Sequence, residues 1–124
     1  MALLTREAIL KADDLPTKDV PVPEWGGTVR VRSMTAKDRD AIETTIMMAR
    51  QEGEQSQVNV RARYAAACIV DDAGRPLFSV NDVEMLGEKS GAALDRVYSA
   101  VVDLNLIDPA EVEKQAGESS AAPI

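Results

Sequence analysis

The sequence predicts an α+β fold: a small, mostly α-helical domain with an N-terminal β-hairpin and about five to six helices. Three observations point there. Val20 and Val22, then Val29 and Val31, alternate with other residues on either side of Gly26-Gly27, as in two strands joined by a tight turn. From Thr35 onward the apolar spacing becomes helical, and capping signals open successive segments. The apolar fraction is 45% but the aromatic fraction only 3%, so the core is built from Ala, Val, Leu, Ile and Met. That composition suits helix packing better than a β-sandwich, whose strands are usually richer in aromatic residues.

Thr5 opens a first short helix as its cap, Glu7 suits the first turn, and Leu4, Ala8 and Ile9 are expected to face inward. The helix should stop near Asp13-Asp14, because Pro16 disfavours a helical Leu15. A first strand is expected over residues 18–25. Pro21 and Pro23 cannot donate ladder hydrogen bonds, which makes it an edge strand with that edge blunted. Its partner over 28–34 puts Val29 and Val31 on one face, Arg30 and Arg32 on the other. A lone hairpin is marginal in water, so it must pack on helices, join another subunit's sheet, or order on a partner.

Thr35-x-x-Asp38 has the form of a capping box, with Asp in the usual Glu position. The helix it opens runs to about Glu52, with Ile42, Thr45, Ile46 and Ala49 as the buried stripe and Gly53 as its stop. After a polar loop, a helix is expected over 59–70, its end wholly apolar and its alanines Ala65, Ala66 and Ala67 admitting a close neighbour. Residues 71–76 form a turn, and Leu77-Phe78 should dip into the core. Ser79-x-x-Asp82 opens a short helix with Val83 and Leu86 inward and Gly87 at its end. A longer helix begins near Lys89-Ser90, its stripe formed by Leu94, Val97, Val101 and Leu104 and widened by Tyr98 and Val102. Asp108-Pro109-x-Glu111 opens a last helix ending by Ala116. The reading gives one domain over 1–116, with the hairpin at about 18–34, the helical part at about 35–116, and a flexible tail over 117–124.

Composition removes several functional classes. The net charge of −7 opposes general phosphate binding. There is no histidine, so the commonest general base and metal ligand are missing. The single cysteine, Cys68, cannot form an internal disulfide and lies in an apolar run, as a buried structural thiol does. No run reaches the roughly 20 apolar residues that span a bilayer, and the first residues lack a signal-peptide layout; the protein is expected to be soluble and intracellular. Asp13-Asp14 and Asp71-Asp72 read as loop acids rather than an acid–base pair, and Arg75, Pro76 and Leu77 interrupt any calcium loop at Asp71. Gly26-Gly27 leads into a strand, not into the helix a phosphate loop needs. The chain is therefore expected to have no catalytic residues, metal or cofactor.

What remains suits protein docking. Trp25 sits at the hairpin tip, and tryptophan is enriched at binding hot spots. Arg30, Arg32, Lys37 and Arg39 form a basic cluster in an acidic chain. Methionines suit adaptable surfaces; Met34, Met47, Met48 and Met85 are available, core packing being the ordinary role for most of them. The candidate partner-binding residues are Trp25, Arg30, Arg32, Met47 and Met48.

The opening Ala2-Leu-Leu-Thr-Arg-Glu-Ala-Ile-Leu, the Asp13-Asp14-Leu15 break, Val20-Pro-Val-Pro-Glu-Trp-Gly-Gly and Val29-Arg-Val-Arg-Ser-Met-Thr-Ala-Lys-Asp-Arg-Asp resemble the tail assembly chaperones of long-tailed, siphovirus-type bacteriophages and related prophages. Ala66-Ala-Cys-Ile-Val-Asp-Asp-Ala-Gly-Arg-Pro-Leu-Phe and Asp82-Val-Glu-Met-Leu-Gly-Glu-Lys-Ser are similar to a later region of that family. The likeness runs over about 2–106, and it is the order of these structural motifs that is specific. The resemblance implies a non-enzymatic protein of the host bacterial cytoplasm, absent from the mature virion. Such chaperones coat the helical tape measure protein, keep it soluble and recruit the tail tube protein. Many have a longer frameshift product sharing the N-terminal domain. The resemblance implies no nucleic acid, no membrane and no cofactor; with it goes the expectation of a homo-oligomer. Two other readings stay open: a structural tail or head–tail joining protein of the virion, and a small regulatory RNA-binding protein using Arg30 and Arg32.

Overall fold

The computed structural model describes residues 2–54 and 58–107. In chain order these form α1 (Arg6–Lys11), β1 (Thr17–Val22), a 3₁₀ turn (Pro23–Trp25), β2 (Gly27–Arg32), α2 (Ala36–Gln51), α3 (Val60–Cys68), β3 (Ile69–Val70), a second 3₁₀ turn (Val80–Asp82), α4 (Val83–Gly87) and α5 (Gly91–Asn105). The expected last helix after Asp108 and the tail over 117–124 lie outside the described residues.

The sheet is antiparallel in the order β1-β2-β3. Val20 pairs with Val29 and Lys18 with Val31, and on the other side of β2, Val31 pairs with Ile69 and Arg30 with Val70. β1 is the edge strand that Pro21 requires. Of the three fates open to the hairpin, it packs on helices of its own chain: α5 lies along β1 and against α3, and Val20, Val22 and Val31 face the core.

Two departures from expectation shape this sheet. The helix read as running to Val70 stops at Cys68, and Ile69-Val70 turn into β3. β2 offers an unpaired edge there, and two β-branched residues fit a strand better than a helix end. The hairpin connection also differs. β1 ends at Val22, and Pro23 starts a 3₁₀ turn closed by the Gly26 N–H donating to the Pro23 carbonyl at 3.0 Å. Only Gly26 needs a left-handed backbone, at φ +76°; Gly27 is already strand. Proline's fixed φ favours the first helical position, which is why residues 23–25 leave the strand.

The helices follow their caps. The Thr5, Thr35 and Ser90 hydroxyls each accept a backbone N–H three residues on, at 3.1, 3.1 and 3.2 Å. Ser79 and Asp82 complete a two-way capping box. On α5, Leu94, Val97 and Val101 are buried as expected, joined by Ala93 and Ala100; on α4, Val83 and Leu86 are buried. α1 buries nothing among the described residues: Leu4, Ala8 and Ile9 are all exposed. α2 buries Ile42 and Ile46, but Thr45 is exposed and its hydroxyl donates to the Ala41 carbonyl at 2.9 Å. Phe78 packs against the core, whereas Leu77 stays 54% exposed.

Ile46→Ala deletes one of the two buried side chains of α2. It should lower stability by about 2–5 kcal/mol, seen as a lower urea midpoint. Met48→Ala, on the open side of the same helix, should change stability by no more than about 0.5 kcal/mol.

Candidate functional site

α2 packs chiefly on α3, and because it buries so little, a groove is left along the seam. Its volume is about 280 Å³, with Ala41 and Thr45 from α2, Ala66 and Ala67 from α3, and Phe78 and Val80 from the following segment among its walls. Small side chains on both helices keep the floor open. Asp38 and Arg63 stand at the polar rim. Partial burial pushes Arg63 below its ordinary value, and its Nε donates to the Val58 carbonyl at 3.0 Å.

Helical spacing continues the groove along α2. Ala41, Thr45 and Met48 stand at i, i+4 and i+7, one row on one face. Met48 is 53% exposed. Met47 is exposed too, but one residue earlier in the turn it points about 100° away from that row.

A second, wider groove of about 610 Å³ lies under the hairpin tip, between Trp25, Phe78, Met85 and Leu86, with Glu24, Asp82 and Lys89 at its rim. Phe78 is a wall of both grooves. Trp25 does not project. It is half-buried against the core, and its indole N–H is buried with no acceptor among the described residues. The tip is pinned to α5 by Arg96, whose Nε and Nη2 donate to the Glu24 carboxylate at 2.9 and 3.1 Å and hold it below the usual carboxylate range.

The basic cluster is largely drawn into the chain's own contacts. Arg30 makes a two-pronged bond to Asp19, at 2.7 and 3.2 Å, which lowers the Asp19 pKa and raises that of Arg30. Arg32 Nη1 donates to the Gly74 carbonyl at 2.9 Å, fastening the 71–76 turn to β2. Arg39 reaches both Glu43 and the Asn105 carbonyl. Of the five residues predicted as partner contacts, Met48 lies in the α2 row, Trp25 lines the second groove, Met47 stands behind the row, and Arg30 and Arg32 serve the sheet. The walls formed by Ala41, Ala67, Phe78 and Val80 come from three segments far apart in sequence, and no local pattern announces that convergence.

Chemistry at other polar residues is structural. Cys68 is fully buried, and burial pushes its thiol up to about 12, far from a nucleophile's range. Asp71 accepts the N–H groups of Ala73 and Arg75, both at 2.9 Å, and so builds its own turn. Among the described residues no cluster of acids or cysteine is placed to hold a metal ion, and no helix is long and apolar enough to cross a membrane.

The family described as phage tail assembly chaperone matches this chain over residues 5–115. The structure of the bacteriophage HK97 tail assembly chaperone is similar in fold, with a TM-score of 0.59 at 22% identity, over 80% of this chain and 89% of that one. No curated protein matches the chain.

Tyr64 is buried as well, and burial, with a smaller contribution from the Glu43 carboxylate, pushes it up to about 12 from 10.0, as Cys68 is pushed up to about 12 from 9.0. Folded-state values raised in this way mean that their contribution to stability is complete below pH 9.0 and is lost as the pH rises toward 12. Urea midpoints should therefore fall across that window, and Cys68→Ala should reduce the steepness of the fall.

Proposed function

The chain belongs to the phage tail assembly chaperone family, and from that premise we propose that it binds the tape measure protein along the α2–α3 groove, keeps it soluble and promotes assembly of the tail tube around it. The observation that carries this reading is the Ala41, Thr45, Met48 row on a helix that buries only Ile42 and Ile46. It offers a strip of small side chains ending in a methionine beside an open seam, the form that receives an amphipathic helix through anchors at helical spacing. Met48 adds an adaptable edge suited to a target with many similar turns. The protein acts by binding rather than catalysis, in the host cytoplasm, and leaves before the virion matures. Self-association and pairing with a longer product that shares this domain belong to the same reading. Its alternative as an RNA binder loses support from Arg30 and Arg32, which are both engaged within the fold.

Co-expression with the tape measure gene tests it. The wild-type chain should bring the tape measure protein into the soluble fraction as a complex. Ala41→Glu with Met48→Glu should weaken that capture by roughly tenfold or more, as losses of about 2 kcal/mol at a hot spot do, while helical content and melting stay unchanged. Capture by the double variant at wild-type strength contradicts the groove assignment.

A further inference from the structure

Arg63 is a base set into the wall of the α2–α3 groove, among Ala41, Ala66, Ala67 and Phe78. It is half-buried, and burial with no compensating acid lowers its pKa. Arg30 and Arg96, each beside a carboxylate, are shifted the other way. Arg39, Arg61 and Arg75 also have an acid within ion-pair distance. Arg63 has none among the described residues.

Its hydrogen bonding is incomplete as well. Nε donates to the Val58 carbonyl at 3.0 Å, and that is its only hydrogen bond among the described residues. The Nη groups, which carry the other donors of a guanidinium, are left over. Residues 55–57, just before Val58, are Gln, Ser and Gln and hold no carboxylate. A partly desolvated cation with spare donors is costly until an anion meets it, and a carboxylate can meet a guanidinium with two parallel bonds.

The groove is charged at both ends, in opposite senses. α3 runs back along α2, since the Glu43 carboxylate acts on Tyr64 and that of Asp38 acts on Cys68. Asp38 therefore stands by the last turn of α3. Arg63, five residues before Cys68, lies about 7–8 Å back along the helix. An acid on an occupant is repelled at the Asp38 end and accepted at the Arg63 end. On α3, Arg63 is one turn before Ala66 and Ala67. An acid that reaches Arg63 thus leaves room, one turn along, for a small or aliphatic side chain over the two alanines.

We propose that Arg63 is the specificity-determining residue of this groove: the helix received there carries an Asp or Glu that pairs with the guanidinium and, one turn away, a small or aliphatic side chain seated over Ala66 and Ala67. This selection rests on the reading of the α2–α3 groove as the tape measure site, and it defines which segments of that protein are held. In a chain of net charge −7, repulsion of an acidic segment is spread over the surface and screened by salt, whereas the pair at Arg63 is close and partly desolvated.

Calorimetric titration of the purified full chain tests it, with overlapping peptides of about 20 residues that cover the tape measure protein and are long enough to form helix. The tightest binder should carry the acid and the small or aliphatic residue at that spacing. Replacing its acid with the corresponding amide should weaken binding by about tenfold or more. Arg63→Met keeps an apolar stem; it should lose a similar factor against the acidic peptide and bind the acid and amide forms alike. Arg63→Lys should recover much of the loss. Melting temperature reports whether the variants fold, and where Arg63→Met does not, the acid-to-amide comparison on the wild type decides alone. A tightest binder without an acid overturns the proposal, as does the absence of any binder, equal binding of both peptide forms by the wild type, or an Arg63→Met variant that still distinguishes them. Ala41→Glu with Met48→Glu separates the two ideas. If that variant loses binding while Arg63→Met binds as the wild type does, the groove stands and the role of Arg63 falls; if it binds every peptide at wild-type strength, both fall.

Discussion

The fold depends on one buried stretch, residues 64–70, where helix becomes strand. Tyr64, Ala65, Ala66 and Cys68 are buried in α3, and Ile69 and Val70 are buried in β3. The helical half of this stretch packs against α5, α4 and α2, and the strand half pairs with β2. Because an unpaired buried N–H or carbonyl is costly, the strand half must find the β2 edge once the helix has ended. That pairing ties the hairpin to the helices and gives α5 a sheet to lie along. Within the stretch, the Tyr64 hydroxyl is buried without a partner among the described residues. Its ring, 5.8 Å from that of Tyr98 and tilted 51° to it, is placed by apolar packing.

What the sequence made legible was local. Thr5, Thr35, Ser79 and Ser90 mark helix starts because a cap is a contact over three residues. Pro21 fixed the edge strand because a missing donor is a property of one residue. Val83, Val97 and Val101 declared the core through helical spacing. The misses were tertiary. Ile69-Val70 read as a helix end because pairing with Arg30 and Val31 is invisible in the local pattern. Leu4 and Ile9 had the right chemistry for burial, but no element among the described residues covers them. Thr45 fell on the stripe by spacing, yet it stands at the wall of the open α2–α3 groove and stays exposed. The site was read less well than the fold for the same reason: its walls converge from 41–45, 66–67 and 78–80.

The distribution of apolar surface connects stability to function. α3, α5 and the sheet carry the core; among the described residues α1 buries no side chain and α2 fully buries two. A monomer seldom keeps so much apolar surface exposed unless it is used. The net charge of −7 opposes collapse of like chains onto one another. The proposed shielding of a long helix would need both properties, an adaptable strip to offer and a surface that resists collapse.

The proposed binding rests on α2 and the seam beside it. Hydrogen exchange of the full chain, alone and with the tape measure protein, tests this most directly, since a helix held by so few buried contacts should open locally. Exchange should be fast over 36–51 in the free chain and slow markedly there and over 77–83 in the complex. Slowing confined to other segments, with α2 exchanging as fast as before, would contradict it.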